Sequence, residues 1–205
     1  MKFKNIFLLS VMSIFVNVNA VIIRRVAASD TSALLQLYTA VAEDKDSGLA
    51  RSKEEITEEY IAGLVTAALS YGLMLVALDE ESGLLVGAVS KYSPPVPASL
   101  RHCFRDGTTL VHPEFHRRGI GSALWARFLE IVRADFPSIA RIELFVRASN
   151  TSAVKLYERI GFKIEGRLVG RILDTEGSLE DDLIMGMRLK PIDYFTTINR
   201  LAYLI

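Results

Sequence analysis

The sequence predicts an α/β protein with a single domain. Apolar runs of strand length alternate with segments whose apolar residues recur at helical spacing, and hairpin patterns stand both before and after the central helices. The chain has 205 residues, and we find neither an internal repeat nor a linker that would divide it. We therefore expect one α/β sandwich, over residues 21–190.

Composition excludes several classes of protein. The 24 basic and 24 acidic residues cancel, so no global field attracts nucleic acid or an anionic membrane, and a phosphate site must be local. Charged residues at 23% and aromatic residues at 9% are typical of a folded chain. The single Cys103 excludes an internal disulfide and a cysteine-based zinc site. We expect no nucleic-acid partner and no stable membrane association.

Residues 1–20 differ from the rest of the chain. Lys2 and Lys4 precede an apolar run over residues 6–18, and Val18-Asn19-Ala20 resembles a small-residue cleavage site, a pattern typical of a signal peptide. The run is too short for a membrane-spanning helix. A buried extra element and a non-native leader from an upstream start codon are the alternatives. We keep this segment out of the fold prediction.

The first half of the chain divides at polar and Pro- or Gly-containing segments. Ser29-Asp30 offers an N-cap, the polar loop 43–51 separates two helices, and the turn at 79–83 predicts a hairpin. Prolines in the segment 94–97 predict a loop. The predicted elements are a strand at 21–26, helices at 29–42 and 53–69, and strands at 73–78 and 84–91.

The second half of the chain again alternates predicted strands and helices. Gly161 stops a helix, and residues 175–177 predict the turn of a last hairpin. The predicted elements are a strand at 108–111, a helix at 119–134, a strand at 141–147, a helix at 150–160 and two strands within 162–189. The tail at 191–205 is apolar enough to pack on the domain or on a second copy, so a homodimer is one expectation.

The stretch that begins at Thr108 carries the first chemical motif. A strand ends at a proline, two arginines follow, and glycines at 119 and 121 open an amphipathic helix. The first amides of a helix lack acceptors and carry partial positive charge, and glycines let a ligand approach the backbone. This pattern predicts a phosphate cradle, although an ordinary glycine-rich turn would look alike. The Gly-Lys-Ser/Thr ending of a Walker loop is absent, and so is the correctly spaced third glycine of a Rossmann fingerprint.

The second motif, NxxAxxLYxxxGF, begins at Asn150 and follows a strand. On a helix, Asn150 and Tyr157 fall on one stripe, and Ala153 and Leu156 fall on another. We expect the second stripe to be core and the first to bring the phenol towards a cleft. Taken alone, such a tyrosine is more typical of packing.

At this spacing and in this order, the two motifs resemble the GNAT superfamily of acyl-CoA-dependent N-acetyltransferases. The resemblance covers about residues 22–189. It implies a GNAT-type mixed, mostly antiparallel central sheet flanked by helices. It also implies acetyl-CoA as co-substrate, no metal, and a primary amine of an amino acid, polyamine or peptide as acceptor. The cofactor-binding residues that it implies are Leu110, Val111, Arg117, Arg118, Gly119, Ile120, Gly121, Ser122, Asn150, Ala153 and Tyr157.

Two positions depart from the family pattern. His116 stands where the family commonly has Gln or Arg, which matters little because the loop acts through backbone amides. Phe145 stands where many members that modify ribosomal proteins carry a glutamate, which removes one familiar candidate for the base.

Acetyl transfer to an amine sets three chemical demands. Deprotonating an alkylammonium at neutral pH costs roughly 4 kcal/mol, so a base or a water leading to one must help. Backbone N–H groups of Leu110 or Val111 are candidates to stabilise the charge on the carbonyl oxygen. The leaving thiolate needs a proton, a role that the matching tyrosine has in the family and that the resemblance assigns to Tyr157.

Several carboxylates are candidates for the general base. Glu143 shares a strand face with Phe145, one pleat away, and would act through a water; a solvent-facing glutamate is the alternative. Glu114 reads better as an exposed turn residue. Asp181 and Asp182, in the last hairpin, are candidates to hold the substrate ammonium, or are merely exposed.

The histidines, the tryptophan and two cationic side chains of the last helix can be interpreted more simply. His112 and His116, or His102 beside Cys103, suggest a metal site, but Pro113 breaks helical geometry and no HExxH pattern exists. We therefore expect no metal. Trp125 is predicted to be core. Lys155 and Arg159 read equally well as contacts to the adenosine phosphates and as a solvated helix face.

The sequence as a whole predicts an N-acetyltransferase that works by direct attack in a ternary complex, because no persuasive Ser–His–Asp or Cys–His set supports a covalent intermediate. The alternative is a catalytically inactive acyl-CoA-binding sensor or interaction module with the same fold. Acetyl-CoA predicts a cytoplasmic location, while residues 1–20 leave secretion as the alternative.

Overall fold

Strands form where the sequence has its apolar runs, and helices form where apolar residues recur at helical spacing. The computed structural model describes residues 21–44, 47–174 and 177–189. The predictions for residues 1–20 and 191–205, and for turn positions 175 and 176, lie outside these ranges. Within them, no helix combines the length and the apolar character that crossing a bilayer requires.

The described elements follow the predicted order and confirm the single-domain α/β class. They are β1 (Val21–Arg25), α1 (Thr31–Glu43), α2 (Glu58–Tyr71), β2 (Gly72–Asp79), β3 (Leu85–Tyr92), β4 (Cys103–Phe104), β5 (Thr109–Val111), α3 (Ile120–Asp135), β6 (Arg141–Arg147), α4 (Thr151–Ile160), β7 (Lys163–Leu173) and β8 (Leu179–Arg188).

The strands form two four-stranded sheets that part between β5 and β6. The first has the order β1-β2-β3-β5 and the second the order β4-β6-β8-β7. Only the β4–β6 pair is parallel among the described strand pairs. β4, which the sequence analysis missed, has two residues, too few to produce a periodic pattern.

Between β4 and β5 the chain leaves one sheet for the other. Phe104 pairs with Ile142 of β6, but Asp106 already pairs with Tyr92 at the end of β3. Gly107 makes the crossing possible, because a Cβ built there would lie 2.0 Å from the Ser90 carbonyl oxygen. The parting of the sheets therefore begins at a position where only glycine fits.

Two apolar cores lie on opposite sides of the first sheet. One packs under α3 and α4 around Trp125 and Phe128, and the other packs under α1 and α2 around Leu34 and Tyr38. Trp125 is fully buried, as predicted.

The predicted second helix is wrong at its start. Residues 53–55 form a separate 3₁₀ turn, and α2 begins only at Glu58. Thr57 decides this boundary, because its side-chain oxygen accepts a hydrogen bond of 3.1 Å from the Tyr60 N–H and so caps the helix.

Candidate active site

The edge of β5 that faces β6 is unpaired where the sheets part. Towards β3, Thr108 accepts from the Ser90 N–H at 2.9 Å and the His112 N–H donates to Val86 at 2.8 Å. Bonded pairs alternate in an antiparallel ladder, so the Leu110 amide, halfway between, also faces β3. This corrects the prediction of Leu110 as an oxyanion donor. The Val111 amide, one residue on, faces the parting.

The N-terminus of α3 lies just beyond this edge, with no side-chain cap. The first helical bond runs from the Ala123 N–H to the Gly119 carbonyl at 3.0 Å, so the amides of Ile120, Gly121 and Ser122 have no acceptor within the helix. Gly119 has φ 82° and provides no capping hydrogen bond, whereas side chains cap α2 and α4. Ile120 has a buried side chain, so only its backbone is available to a ligand.

Gly121 has a packing role in addition to its backbone amide. A Cβ built at this position would lie 3.3 Å from Cδ2 of Leu156, a residue of α4. The absence of a side chain therefore lets α4 approach the first turn of α3. The two predicted motifs meet at this contact.

Side chains of the basic turn before α3 donate hydrogen bonds to nearby backbone carbonyl groups. Arg118 donates to the Glu114 carbonyl at 2.8 Å and stacks 4.4 Å above the ring of Phe115. His116 donates from Nε2 to the Val111 carbonyl at 2.9 Å. Arg117 is exposed and has φ 60°, a conformation that costs energy for a residue with a side chain.

The histidines take part in this bracing and form no metal site. His112 Nδ1 accepts from the Glu114 N–H at 3.3 Å, which caps the 3₁₀ turn over residues 113–115. Within residues 21–44, 47–174 and 177–189, no group of three metal-binding side chains exists. Cys103 is buried, and burial raises the pKa of its thiol to about 12.

Tyr157 lies inside the core, beside the stripe of Ala153 and Leu156 that was expected to be core and that also packs there. It is 8% exposed, and its ring centre lies 6.0 Å from that of Trp125 and 5.7 Å from that of Phe162. Burial raises the pKa of the phenol, and a hydrogen bond with Thr109 opposes that shift. Thr109 also accepts from Trp125 Nε1 at 3.2 Å. The hydroxyl of Tyr157 therefore reaches β5 two residues before Val111.

The other predicted residues of the second motif serve the helix itself. The Asn150 side-chain oxygen accepts from the Ala153 N–H at 3.0 Å and caps α4, and its amide group donates to the Ser47 carbonyl at 3.5 Å. Lys155 and Arg159 are exposed, on the solvated side of the helix.

Glu143 lies at the start of the parting, one residue past the last β4–β6 pair. Its carboxylate accepts from Arg141 Nε at 2.7 Å, and Arg141 also pairs with Glu165. The negative charge of Glu143 partly opposes the burial that lowers the pKa of Lys91 on β3. The structure thus holds this carboxylate in an ion-paired group.

The aspartates of the last hairpin are engaged in the second sheet. Asp181 accepts from the Gly170 N–H at 2.9 Å and pairs with Arg167 at 3.2 Å. Asp182 is 4% exposed and pairs with Arg171 at 2.9 Å, and burial raises the pKa of its carboxyl. Both carboxylates are thus engaged in ion pairs of the second sheet.

The loop between α1 and α2 has a role that no pattern in the sequence predicted. Arg147 donates to the Leu49 carbonyl at 3.0 Å and pairs with Glu180 at 3.5 Å, while Asn150 contacts Ser47. This loop therefore lies against the C-terminal end of β6. The only sequence signal was a charged residue at the end of a strand directly before the Asn150 motif.

Comparison with known proteins fits this geometry. Residues 34–162 match the profile of the Acetyltransferase (GNAT) family. The chain belongs to this family. A segment of 77 residues is 34% identical to the ribosomal protein bS18-alanine N-acetyltransferase of Escherichia coli, covering 38% of this chain and 50% of that protein. The match thus spans only half the length of this relative.

Solved GNAT structures have the same fold. The GNAT-family acetyltransferase from Streptococcus pneumoniae superposes with a TM-score of 0.72 at 22% identity, covering 82% of this chain and 99% of that one. The Salmonella typhimurium protein yncA, solved with acetyl-CoA, superposes with a TM-score of 0.73 at 18% identity, covering 84% and 95%. The GNAT-type fold expected from the two motifs is therefore confirmed.

Proposed function

We propose that this GNAT protein is an N-acetyltransferase that moves an acetyl group from acetyl-CoA to a primary amine, without a covalent enzyme intermediate. The observation that carries the proposal is the parting of the two sheets. It leaves the Val111 amide at a free edge, beside the uncapped N-terminus of α3 and two residues from the strand position that the Tyr157 hydroxyl contacts.

The first turn of α3 is the proposed holder of the CoA diphosphate. Three amides without helical acceptors and the positive end of a 16-residue helix favour an anion there. Arg117 adds an exposed positive charge. Acetyl-CoA supplies an activated acyl thioester, and the chain's own groups position it.

The residues beside the gap between the two sheets act on the charges that develop during acetyl transfer. The Val111 amide donates to the carbonyl oxygen as it becomes negative. The amine nitrogen bonds to the acetyl carbon, the C–S bond breaks, and the Tyr157 hydroxyl gives its proton to the thiolate. Glu143 accepts the amine proton through water, and the hydrogen bond from Arg141 Nε positions its carboxylate.

Two measurements test this proposal together. Titration calorimetry should detect CoA binding, and thiol release from acetyl-CoA should depend on an added amine, with a panel of amino acids, polyamines and peptides as acceptors. Absence of CoA binding would overturn the proposal. CoA binding without turnover on any amine would favour the inactive acyl-CoA-binding module instead.

Use of acetyl-CoA also supports the cytoplasmic location expected from the sequence. N-terminal sequencing of the mature protein from fractionated cells tests this. Val21 as the first residue of an exported fraction would contradict it.

A further inference from the structure

Phe145 lies midway along the stretch of β6 that has no partner strand on the side of β5. The last β4–β6 pair is at Ile142, and β6 ends at Arg147. Ile142 and every second residue after it in β6 are buried in the core under α3 and α4. Because side chains alternate along a strand, Glu143, Phe145 and Arg147 lie on the opposite face of the sheet.

Both neighbours of Phe145 on this face adjoin the proposed reaction centre. Glu143, one pleat before it, is the proposed acceptor of the amine proton. Arg147, one pleat after it, holds the α1–α2 loop through a hydrogen bond of 3.0 Å to the Leu49 carbonyl. Residues two apart on a strand are separated by about 7 Å, a distance that a group of three or four carbons beside the amine can span. An amine that binds between this loop and Glu143 therefore lies beside Phe145.

The ring of Phe145 is fixed on one side and open on the other. The guanidinium of Arg171 stacks 4.2 Å from the ring centre, and Arg171 itself pairs at 2.9 Å with Asp182, which is 4% exposed. Arg171 belongs to β7, and β7 and β8 lie on the side of β6 away from β4. The guanidinium therefore reaches the ring from that side and leaves the side towards the parting uncovered.

Exposure distinguishes Phe145 from the other phenylalanines. It is 49% exposed, whereas every other phenylalanine of the described ranges is buried or half-buried. A ring that a stacked cation already holds loses little conformational freedom when a ligand packs on it, so the contact costs little entropy. The open side of the ring is thus suited to an apolar group of the acceptor.

We propose that Phe145 is a specificity-determining residue, whose ring receives an apolar group attached to the carbon that bears the acceptor amine. This inference rests on the proposed function. Phe145 takes no part in proton transfer. It should therefore set the relative kcat/KM of different amines and have little effect on an amine that lacks such a group.

Three amides with the same kind of α-amine test the role of the ring. Leucinamide has an apolar side chain, asparaginamide has a polar one of similar size, and glycinamide has none. Phe145→Ala and Phe145→Gln each remove the ring. Ile164→Ala, on β7 and 48% exposed, is the matched control, because it removes an equally exposed apolar side chain away from the parting. Thermal unfolding checks that each variant is folded.

The wild-type protein should acetylate leucinamide with a kcat/KM about 10-fold above that of asparaginamide, as expected for burial of about two carbons. Phe145→Ala and Phe145→Gln should each lower this ratio to about two-fold or less and leave glycinamide within about two-fold of the wild-type value. Ile164→Ala should change neither quantity.

Three results would overturn the inference about Phe145 and leave the proposed function standing. They are equal rates on leucinamide and asparaginamide, a ratio that survives removal of the ring, and acetylation of other amines with none of these amides accepted. No acetylation of any amine would overturn the proposed function as well.

Discussion

The Arg147 guanidinium donates a hydrogen bond of 3.0 Å to the backbone carbonyl of Leu49, which lies 98 residues earlier in the chain. The same side chain pairs with Glu180 at 3.5 Å, and its Nε is buried without a protein partner in the described residues. Arg147 thereby joins the α1–α2 loop to the second sheet, at the end of β6 where the sheets are parted.

Arg147→Lys should weaken acceptor binding more than cofactor binding. Lysine keeps the charge but cannot donate in two directions from a planar group, so the loop loses its anchor. We expect the KM of the amine to rise about 5- to 10-fold, as for loss of about 1 kcal/mol of hydrogen bonding, while the Kd of CoA changes less than two-fold. Initial rates and calorimetry measure these quantities. Arg127→Lys, at an exposed site on α3, is the control. A larger change for CoA than for the amine would contradict the anchoring role.

Tyr157→Phe should lower turnover without unfolding the protein. Phenylalanine retains the ring contacts with Trp125 and Phe162 and removes only the hydroxyl that meets Thr109. Loss of a general acid costs about 100-fold in kcat. Thiol release gives kcat, and thermal unfolding and CoA calorimetry should match the wild-type protein. An unchanged kcat would show that Tyr157 is not the proton donor.

Arg117→Gly should have opposite effects on stability and on cofactor affinity. Arg117 has φ 60°, and glycine removes a backbone cost of about 1 kcal/mol at such a position. It also removes an exposed charge beside the proposed diphosphate site, so the Kd of CoA should rise several-fold at low salt and less at high salt. Denaturant unfolding and calorimetry test the two effects. A gain in both stability and affinity would refute the diphosphate role.

Lys91→Met should stabilise the protein at neutral pH. Lys91 is 2% exposed, and burial lowers its pKa from 10.5 to about 8 against the opposing charges of Asp106 and Glu143. Charging it in the folded state at pH 7 therefore costs about 3 kcal/mol, of which methionine should recover about 2 kcal/mol.

The same shift predicts a pH dependence. Between about pH 8 and 10.5 the unfolded chain holds the Lys91 proton and the folded chain does not, so the free energy of unfolding of the wild-type protein should rise with pH. Below about pH 8 both states hold the proton and Lys91 contributes no slope. The rise should be absent in Lys91→Met and present in Lys163→Met, an exposed control. Denaturant titrations from pH 7 to 10 measure it, and parallel curves for all three proteins would contradict the prediction.

Prediction from the sequence succeeded where a signal is local. The start of α3 after Gly119 and the end of α4 at Gly161 both appeared as predicted, because each glycine has a positive φ that its neighbours require. The start of α2 was missed because Thr57, rather than a residue near 53, caps it. The stripe of α4 that carries Ala153 and Leu156 packs against the core as expected, but periodicity did not show that Tyr157 is buried there as well.

By itself, the sequence determined the order of strands and helices, the glycine turn before α3 and the family resemblance, since these depend on residue types a few positions apart. Only the tertiary structure decided that the Leu110 amide is used within the sheet while the Val111 amide faces the parting, and that Tyr157 reaches Thr109 from inside the core. The physical reason is strand pairing between distant segments. Register sets which amides and side chains face each other, and residues 105–108 change partner sheets through contacts that a single sequence does not record.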